Sequence, residues 1–350
     1  MSHMRREPAL VQKAIDHRCQ RGLSLVEIMV AMTLGLILLA GVIQLFVSNK
    51  RAFEVQTATN GMQENGRYAM KLVTDSLRAA DHWGGVGASE VGGMAAVSGV
   101  GSCDAAWILN YQEGIRGYEG VSATPPLPSG CIDAADYVPN SDAFVVRHGG
   151  GEYQATAVVK AGNGSDVWLR TAVGRRARVF SVAAITSLPG DLYDAGNEDA
   201  VGIYNYPYQV SAYFVRPCSG KLGAACSASD DGGRPLPTLT RLTLLNGGLQ
   251  EQAMVSGIEQ MQVEYGVDAD LDNNTDFYAD AATITAAGQW NRVASARVTL
   301  IVRSDERGPI ADTTSYNLPD GTTYTVPTDA QMYQRKLFTS VVQIRNRSRS

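Results

Sequence analysis

The densest run of metal-ligating side chains in the sequence is Asp268-Ala269-Asp270-Leu271-Asp272-Asn273-Asn274-Thr275-Asp276. Oxygen donors at alternate positions of a tight loop are what a hard cation such as Ca2+ requires, and Asp268, Asp270, Asp272 and Asn274 match positions 1, 3, 5 and 7 of a calcium loop. Asp276 adds a further carboxylate. The run departs from an EF-hand at two points: Asn273 replaces the invariant glycine, and Ala279 occupies the twelfth position where a bidentate Glu belongs. The competing reading is an acidic, solvated hairpin turn. Ca2+ is the one cofactor that the sequence raises.

A second carboxylate is conspicuous by its surroundings. Leu23 to Val47 is an unbroken apolar run whose single formal charge is Glu27. A helix rising about 1.5 Å per residue crosses a hydrocarbon core of roughly 30 Å in about 20 residues, so this run is long enough to span. An ionised carboxylate inside a bilayer costs about 2.5–3.5 kcal/mol on insertion scales and needs a partner. No Lys, Arg or His lies within the run. A free α-amino group, made by cutting after Gly22 and carried by a neighbouring copy, would supply one. Arg5, Arg6, Lys13, Arg18 and Arg21 precede the run, which places the N-terminus on the cytoplasmic side and the bulk of the chain across the membrane. A secretory signal fits less well, because its apolar core is 7–15 residues and ends in a small-residue cleavage site.

Cys19 falls in the basic leader, leaving Cys103, Cys131, Cys218 and Cys226 in the exported part. An even number of cysteines in an oxidising compartment points to disulfides, with three possible connectivities. Proximity favours Cys103–Cys131 and Cys218–Cys226. Zinc is disfavoured: no C-x2–4-C pair occurs, and only His82 and His148 remain to complete a site.

Catalytic chemistry finds no comparable constellation: G-x-S-x-G, H-E-x-x-H and a P-loop are all absent, so an enzyme is not expected. Thirty Lys and Arg against 35 Asp and Glu give a net charge of −5 over 350 residues, which argues against a nucleic-acid binder.

The elements that must position these residues follow from periodicity. No proline lies between Pro8 and Pro125, and apolar residues recur at helical spacing through Phe53, Met62, Ala69, Val73 and Leu77. One helix is therefore expected from Leu23 to about His82, membrane-spanning over 23–47 and amphipathic over 48–83. Residues 84–141, rich in Gly, Ser and Pro, read as a long connecting loop. Beyond them, strand-like runs open at Ala143, Ala155, Val167, Val179, Val210, Leu239, Met261, Ala294 and Leu337, separated by turn-rich segments. The fold class is α+β: a long N-terminal helix laid on an antiparallel head spanning 142–350.

The segment Arg21-Gly22-Leu23-Ser24-Leu25-Val26-Glu27 resembles the type IV prepilins, which carry a basic leader ending in Gly, a peptidase cut and Glu fifth in the apolar stretch. Within pilins the chain is similar to the PilW-type minor pilins. That likeness rests on Gln63-Glu64-Asn65-Gly66-Arg67-Tyr68-Ala69, Ser141-Asp142-Ala143, Ala212-Tyr213-Phe214-Val215-Arg216, Val263-Glu264-Tyr265-Gly266-Val267-Asp268 and the run Phe338 to Arg347. The resemblance implies a leader over 1–22, a prepilin-peptidase cut between Gly22 and Leu23, N-methylation at Leu23 and an assembly role for Glu27. Leu23 stands where the family usually has Phe. The implied function is a low-abundance subunit that helps start pilus assembly near the tip. Its implied partners are other minor pilins, the major pilin, the prepilin peptidase, the inner-membrane assembly platform and a tip adhesin. It would sit in the inner membrane with its head in the periplasm before assembly and at the cell surface afterwards. A pseudopilin of a type II secretion system and an adhesive tip subunit are the alternatives.

Overall fold

A computed structural model describes Gly22 and residues 24–347. The leader up to Arg21, Cys19 with it, and Leu23 lie outside the described residues.

Helix α1 runs Leu25–Ala79, 55 residues. The chain divides into two units, Met1–Phe53 and Glu54–Ser350, so the first part of α1 belongs to one and its remainder to the head. Within the head, Met62, Gly66, Ala69, Val73 and Leu77 are the buried stripe of α1, returning every three or four residues as one helical face must. The helix stops where Asp81, Gly84 and Gly85 take positive φ, an end slightly earlier than His82.

The larger sheet holds β1 (Val91–Gly93), β2 (Ile115–Tyr118), β3 (Ala143–Gly149), β4 (Val167–Ala172), β5 (Arg176–Ser181), β6 (Ile203–Arg216), β7 (Thr238–Leu245) and β8 (Gly248–Ser256). Its main path is β1-β5-β4-β6-β3-β2, with β7 on β6 and β8 on β7; all pairs are antiparallel except β1 with β5. A second sheet follows from β9 (Ile258–Val267), β10 (Phe277–Ala279) and β11 (Val293–Arg307). Its order is β10-β9-β11-β14, where β14 is Tyr333–Gln343. Between them β12 (Ser315–Asn317) and β13 (Thr323–Thr325) form a small ribbon.

The principal core gathers α1, the larger sheet and the second sheet into one apolar cluster. Val73 and Leu77 of α1 meet Phe144 and Tyr213 of the larger sheet and Val263 and Leu300 of the second. The α+β architecture expected from the sequence is the one observed. Two disulfides staple the irregular stretches: Cys103–Cys131 with Cα atoms 5.3 Å apart, and Cys218–Cys226 at 5.8 Å.

Two local readings differ from the structure. Ala155–Lys160, expected as a strand, contains the helix Thr156–Lys160. A carboxylate distant in sequence favours this: Asp199 Oδ1 accepts the Thr156 amide (2.9 Å), an orphan donor of the helix start, and also the Thr156 hydroxyl (2.7 Å). The stretch 84–141 is not a featureless loop, since β1 and β2 lie in it. Each is three or four residues long and exists because β5 and β3 offer an edge.

Close packing of α1 on the second sheet predicts one mutational outcome. A Cβ added at Gly66 would lie 2.6 Å from Phe338 Cζ, far inside contact distance. Gly66→Val should therefore destabilise the head by about 1–3 kcal/mol, read as a lowered thermal midpoint, and Phe338→Leu in the same chain should recover part of it.

Candidate functional site: the apolar helix and the joints of the head

The first unit is dominated by an apolar helix that none of the described residues covers. From Leu25 to Val47 every residue is exposed, and the span qualifies by length and composition to cross a membrane with none of its most apolar stretch buried. Glu27 lies in the first turn, where the unpaired amides of a helix N-terminus favour a negative charge. An uncovered apolar helix is stable only in lipid or against other apolar helices. Cα positions at Gly35 and Gly41 have no atom within 4 Å of where a Cβ would sit. Such small residues permit close approach of a neighbouring helix.

The acidic loop is a tight turn in which part of the expected ligand set converges. Asp268, Asp270 and Asp276 bring one carboxylate oxygen each within 4.8 Å of one another. Asp272 and Asn274 instead satisfy each other: Asp272 accepts the Asn274 amide at 2.8 Å and its side-chain N–H at 2.9 Å. Leu271 and Asn273 adopt positive φ (64° and 70°), and Asp268 accepts the amides of Asp272 and Asn273. The Asp272 amide donates to Asp270, yet partial desolvation and the charges of Asp272, Asp276 and Asp268 leave the Asp270 carboxyl above its ordinary value. Three crowded carboxylates are a cation's natural complement, although the twelfth-position Glu has no counterpart.

The residues that carry the family likeness prove to be joints. Asn346 Nδ2 donates to the carbonyls of Arg78, Ala79 and Ala80 (3.2, 3.4 and 2.9 Å), closing the C-terminus of α1. Arg347 Nε reaches Asp81 at 2.8 Å, and the same carboxylate accepts Trp83 Nε1 at 2.8 Å. Asn65 on α1 donates to Ser256 of β8 at 3.3 Å. Asp142, buried between the sheets, accepts Gly120 N at 2.9 Å through one oxygen and Val263 N at 2.8 Å through the other. Around it stand Glu119, which accepts Ala281 N, and the buried Tyr265 hydroxyl, which has no partner. Burial, then the Glu119 charge, drives the Asp142 carboxyl well above its ordinary range despite its two amides. Burial likewise pushes Glu119 up to about 7, opposed by the Ala281 amide and reinforced by Asp280, Asp320 and Glu264.

Comparison with known proteins agrees with this anatomy. Residues 213–346 match the family described as Type IV Pilus-assembly protein W, and residues 17–43 match the prokaryotic N-terminal methylation motif. The chain carries a PilW domain behind a prokaryotic N-terminal methylation motif. A solved type IV-like pilin from Thermus thermophilus aligns over 82% of this chain and 98% of its own, at 10% identity and a TM-score of 0.32. No curated protein matches. The PilW match begins on β6 and ends at Asn346, so it takes in the second sheet and the residue that caps α1. Its partners are therefore pilus-assembly components in general, and its apolar helix suits membrane anchoring.

The roles of Asp142, Asn346 and Glu119 leave no local sequence signal, because each bonds a residue distant in the chain. Tyr208 and Tyr213 are buried in the sheet.

Two measurements test these features. Glu119 has a raised folded-state value, so its contribution to stability is full below about 4.5 and is lost as pH rises through about 7. Glu119→Gln should match wild type near pH 5 and become more stable than it by about 2 kcal/mol at pH 8, read by chemical denaturation at both pH values. For the acidic loop, calcium is titrated while the thermal midpoint is followed. A rise abolished by Asp270→Asn assigns an ion to the loop, and an unchanged midpoint at about 10 mM calcium removes it.

Proposed function

We propose that the chain is a minor pilin of a type IV pilus and helps to initiate assembly within a tip or priming complex. The observation that carries this reading is the uncovered apolar helix from Leu25, with Glu27 its only charge as far as Val47. The prepilin peptidase would cut between Gly22 and Leu23, leaving Leu23 as the new N-terminus and the site of N-methylation. Before assembly the helix anchors the subunit in the inner membrane with its head in the periplasm. On assembly it leaves lipid for a bundle of like helices, an exchange of one apolar environment for another that costs little.

Within that bundle Glu27 would accept the N-terminal amine of a neighbouring subunit. The pairing neutralises two charges that neither lipid nor helix can solvate, and it sets the axial register between subunits. Other minor pilins, the major pilin and the inner-membrane assembly platform are the partners this role requires. The reading is structural rather than catalytic, and the large β head serves to present surfaces to neighbours.

Intact mass of the mature protein should be that of a chain beginning at Leu23, carrying one methyl group and lacking the four thiol hydrogens of two disulfides. A chain that retains residues 1–22 would contradict the proposed processing. Glu27→Ala should be cleaved normally and yet enter pili at about a tenth of the wild-type level or less, since an unpaired N-terminal amine is left in an apolar bundle. Incorporation at the wild-type level would overturn the role given to Glu27.

A further inference from the structure

The outermost strands of both sheets carry backbone groups with no neighbouring strand, and most of these edges are blunted. β1, β2 and β10 are only three or four residues long. β8 is a longer edge, but it carries Glu251, which is paired with Arg216 and Lys221, and its ladder with β7 is interrupted between Leu239 and Thr240. β14 has neither protection. It is 11 residues long, ends the order β10-β9-β11-β14, and pairs only with β11, in a ladder unbroken from Arg335 to Gln343. In an antiparallel ladder alternate residues turn both N–H and C=O away from the partner strand. From Lys336 to Gln343 no group among the described residues bonds that outward row.

Composition makes this edge a template for another strand. The run from Leu337 to Ile344 contains no charge, no Gly and no Pro, and Phe338, Thr339, Val341, Val342 and Ile344 are β-branched or aromatic. Leu337 is 38% exposed and Val341 55%, on the face that also exposes Thr339 and Gln343. Phe338 and Val342, on the opposite face, pack into the principal core and hold the strand in place. The uncharged run stops at a cation on either side, Lys336 and Arg345, both exposed. Among the described residues no carboxylate pairs with Lys336, whose Nζ stands 5.7 Å from the centre of the Phe338 ring.

Those two cations select the incoming strand. A second copy of β14 laid antiparallel over the run sets Lys336 against the copy's Arg345, and laid parallel in register it sets lysine against lysine. Like charges directly opposite are unfavourable in both cases. A strand with acidic ends and alternating apolar residues between them satisfies the outward backbone row, the exposed Leu337 and Val341, and the cations together. We propose that the outer edge of β14 receives such a strand, about ten residues long, from a different protein chain, extending the second sheet by one strand. The inference rests on the head alone and not on the assembly reading, so its test does not require a pilus.

The probe is the peptide acetyl-Glu-Thr-Val-Thr-Val-Thr-Val-Thr-Val-Glu-amide, titrated into the full chain in detergent. Binding is followed by anisotropy of the labelled peptide and by amide hydrogen exchange over residues 336–345. Expected is saturable binding with a Kd of about 100 μM or tighter, with slowed exchange of the outward amides of β14. A version N-methylated on every Thr and Val, and one with Lys at both ends, should each bind at least about tenfold more weakly. Val341→Lys should weaken the acidic-ended peptide by about tenfold or more, and Lys336→Glu should narrow its advantage over the Lys-ended one. Both side chains are exposed, so these replacements leave folding intact. No binding at about 1 mM would overturn the proposal. So would equal affinity for the N-methylated or Lys-ended peptide, or undiminished affinity in Val341→Lys. Sedimentation of the chain alone tests the other occupant: a dimer abolished by Val341→Lys would give the edge to a second copy and overturn the choice of a different chain.

Discussion

One buried carboxylate holds the head together. Asp142 divides its two oxygens between Gly120, just beyond β2 of the larger sheet, and Val263, inside β9 of the second. Its own amide donates to Met261 O, and the neighbouring Ser141 hydroxyl accepts Met261 N at 3.2 Å. Two sheets that share no strand ladder are thereby tied through a two-residue segment that behaves as a miniature strand. The cost is a carboxyl group placed in an apolar seam beside Glu119 and an unpartnered tyrosine hydroxyl, where burial raises it well above its ordinary range. The amides it accepts offset part of that cost, so removing either sheet's donor would leave a buried polar group half satisfied.

From that seam the remaining contacts follow. Once the sheets are fixed, α1 has a surface to lie on, and its stripe of Met62, Gly66, Ala69, Val73 and Leu77 is complementary to both. The end of the chain then returns to close the helix: Asn346 takes three carbonyls of its last turn, and Arg347 holds Asp81 where the backbone leaves. The disulfides and the buried hub at Arg170, whose guanidinium bonds Thr156 Oγ1 at 2.8 Å and Asn205 Oδ1 at 2.7 Å, secure the irregular stretches. The head is thus organised by polar joints between apolar layers.

The two ends of α1 meet opposite demands. Up to Val47 the helix is apolar all round, as a helix suited to lipid must be. From Glu54 it must be apolar on one face only, because water meets the other; Lys71, Asp75 and Arg78 accordingly form an exposed charged row, with Asp75 3.1 Å from Arg78. One helix therefore serves two solvents, and the change of pattern along it marks where the surroundings change.

By itself the sequence determined whatever depends on local composition and period. The apolar run, its single carboxylate, the amphipathic continuation and most of the long strands were legible because each is a repeated pattern over many residues. The family likeness was legible too, as short quoted runs, though nothing in them said that Asp142, Gly66 and Asn346 are contacts between distant elements. Only the tertiary structure decided those contacts, since each joins residues far apart in the chain: Asp142 to Val263, Gly66 to Phe338, Asn346 to Ala80. It also turned Thr156–Lys160 from strand to helix through Asp199, and made strands of two short runs by offering them an edge. In the acidic loop it brought carboxylate oxygens of Asp268, Asp270 and Asp276 within 4.8 Å of one another and paired Asp272 with Asn274. That β4 and β7 both pair one edge of β6, at different stretches of it, has no local sequence pattern either, because pairing partners are chosen across the fold.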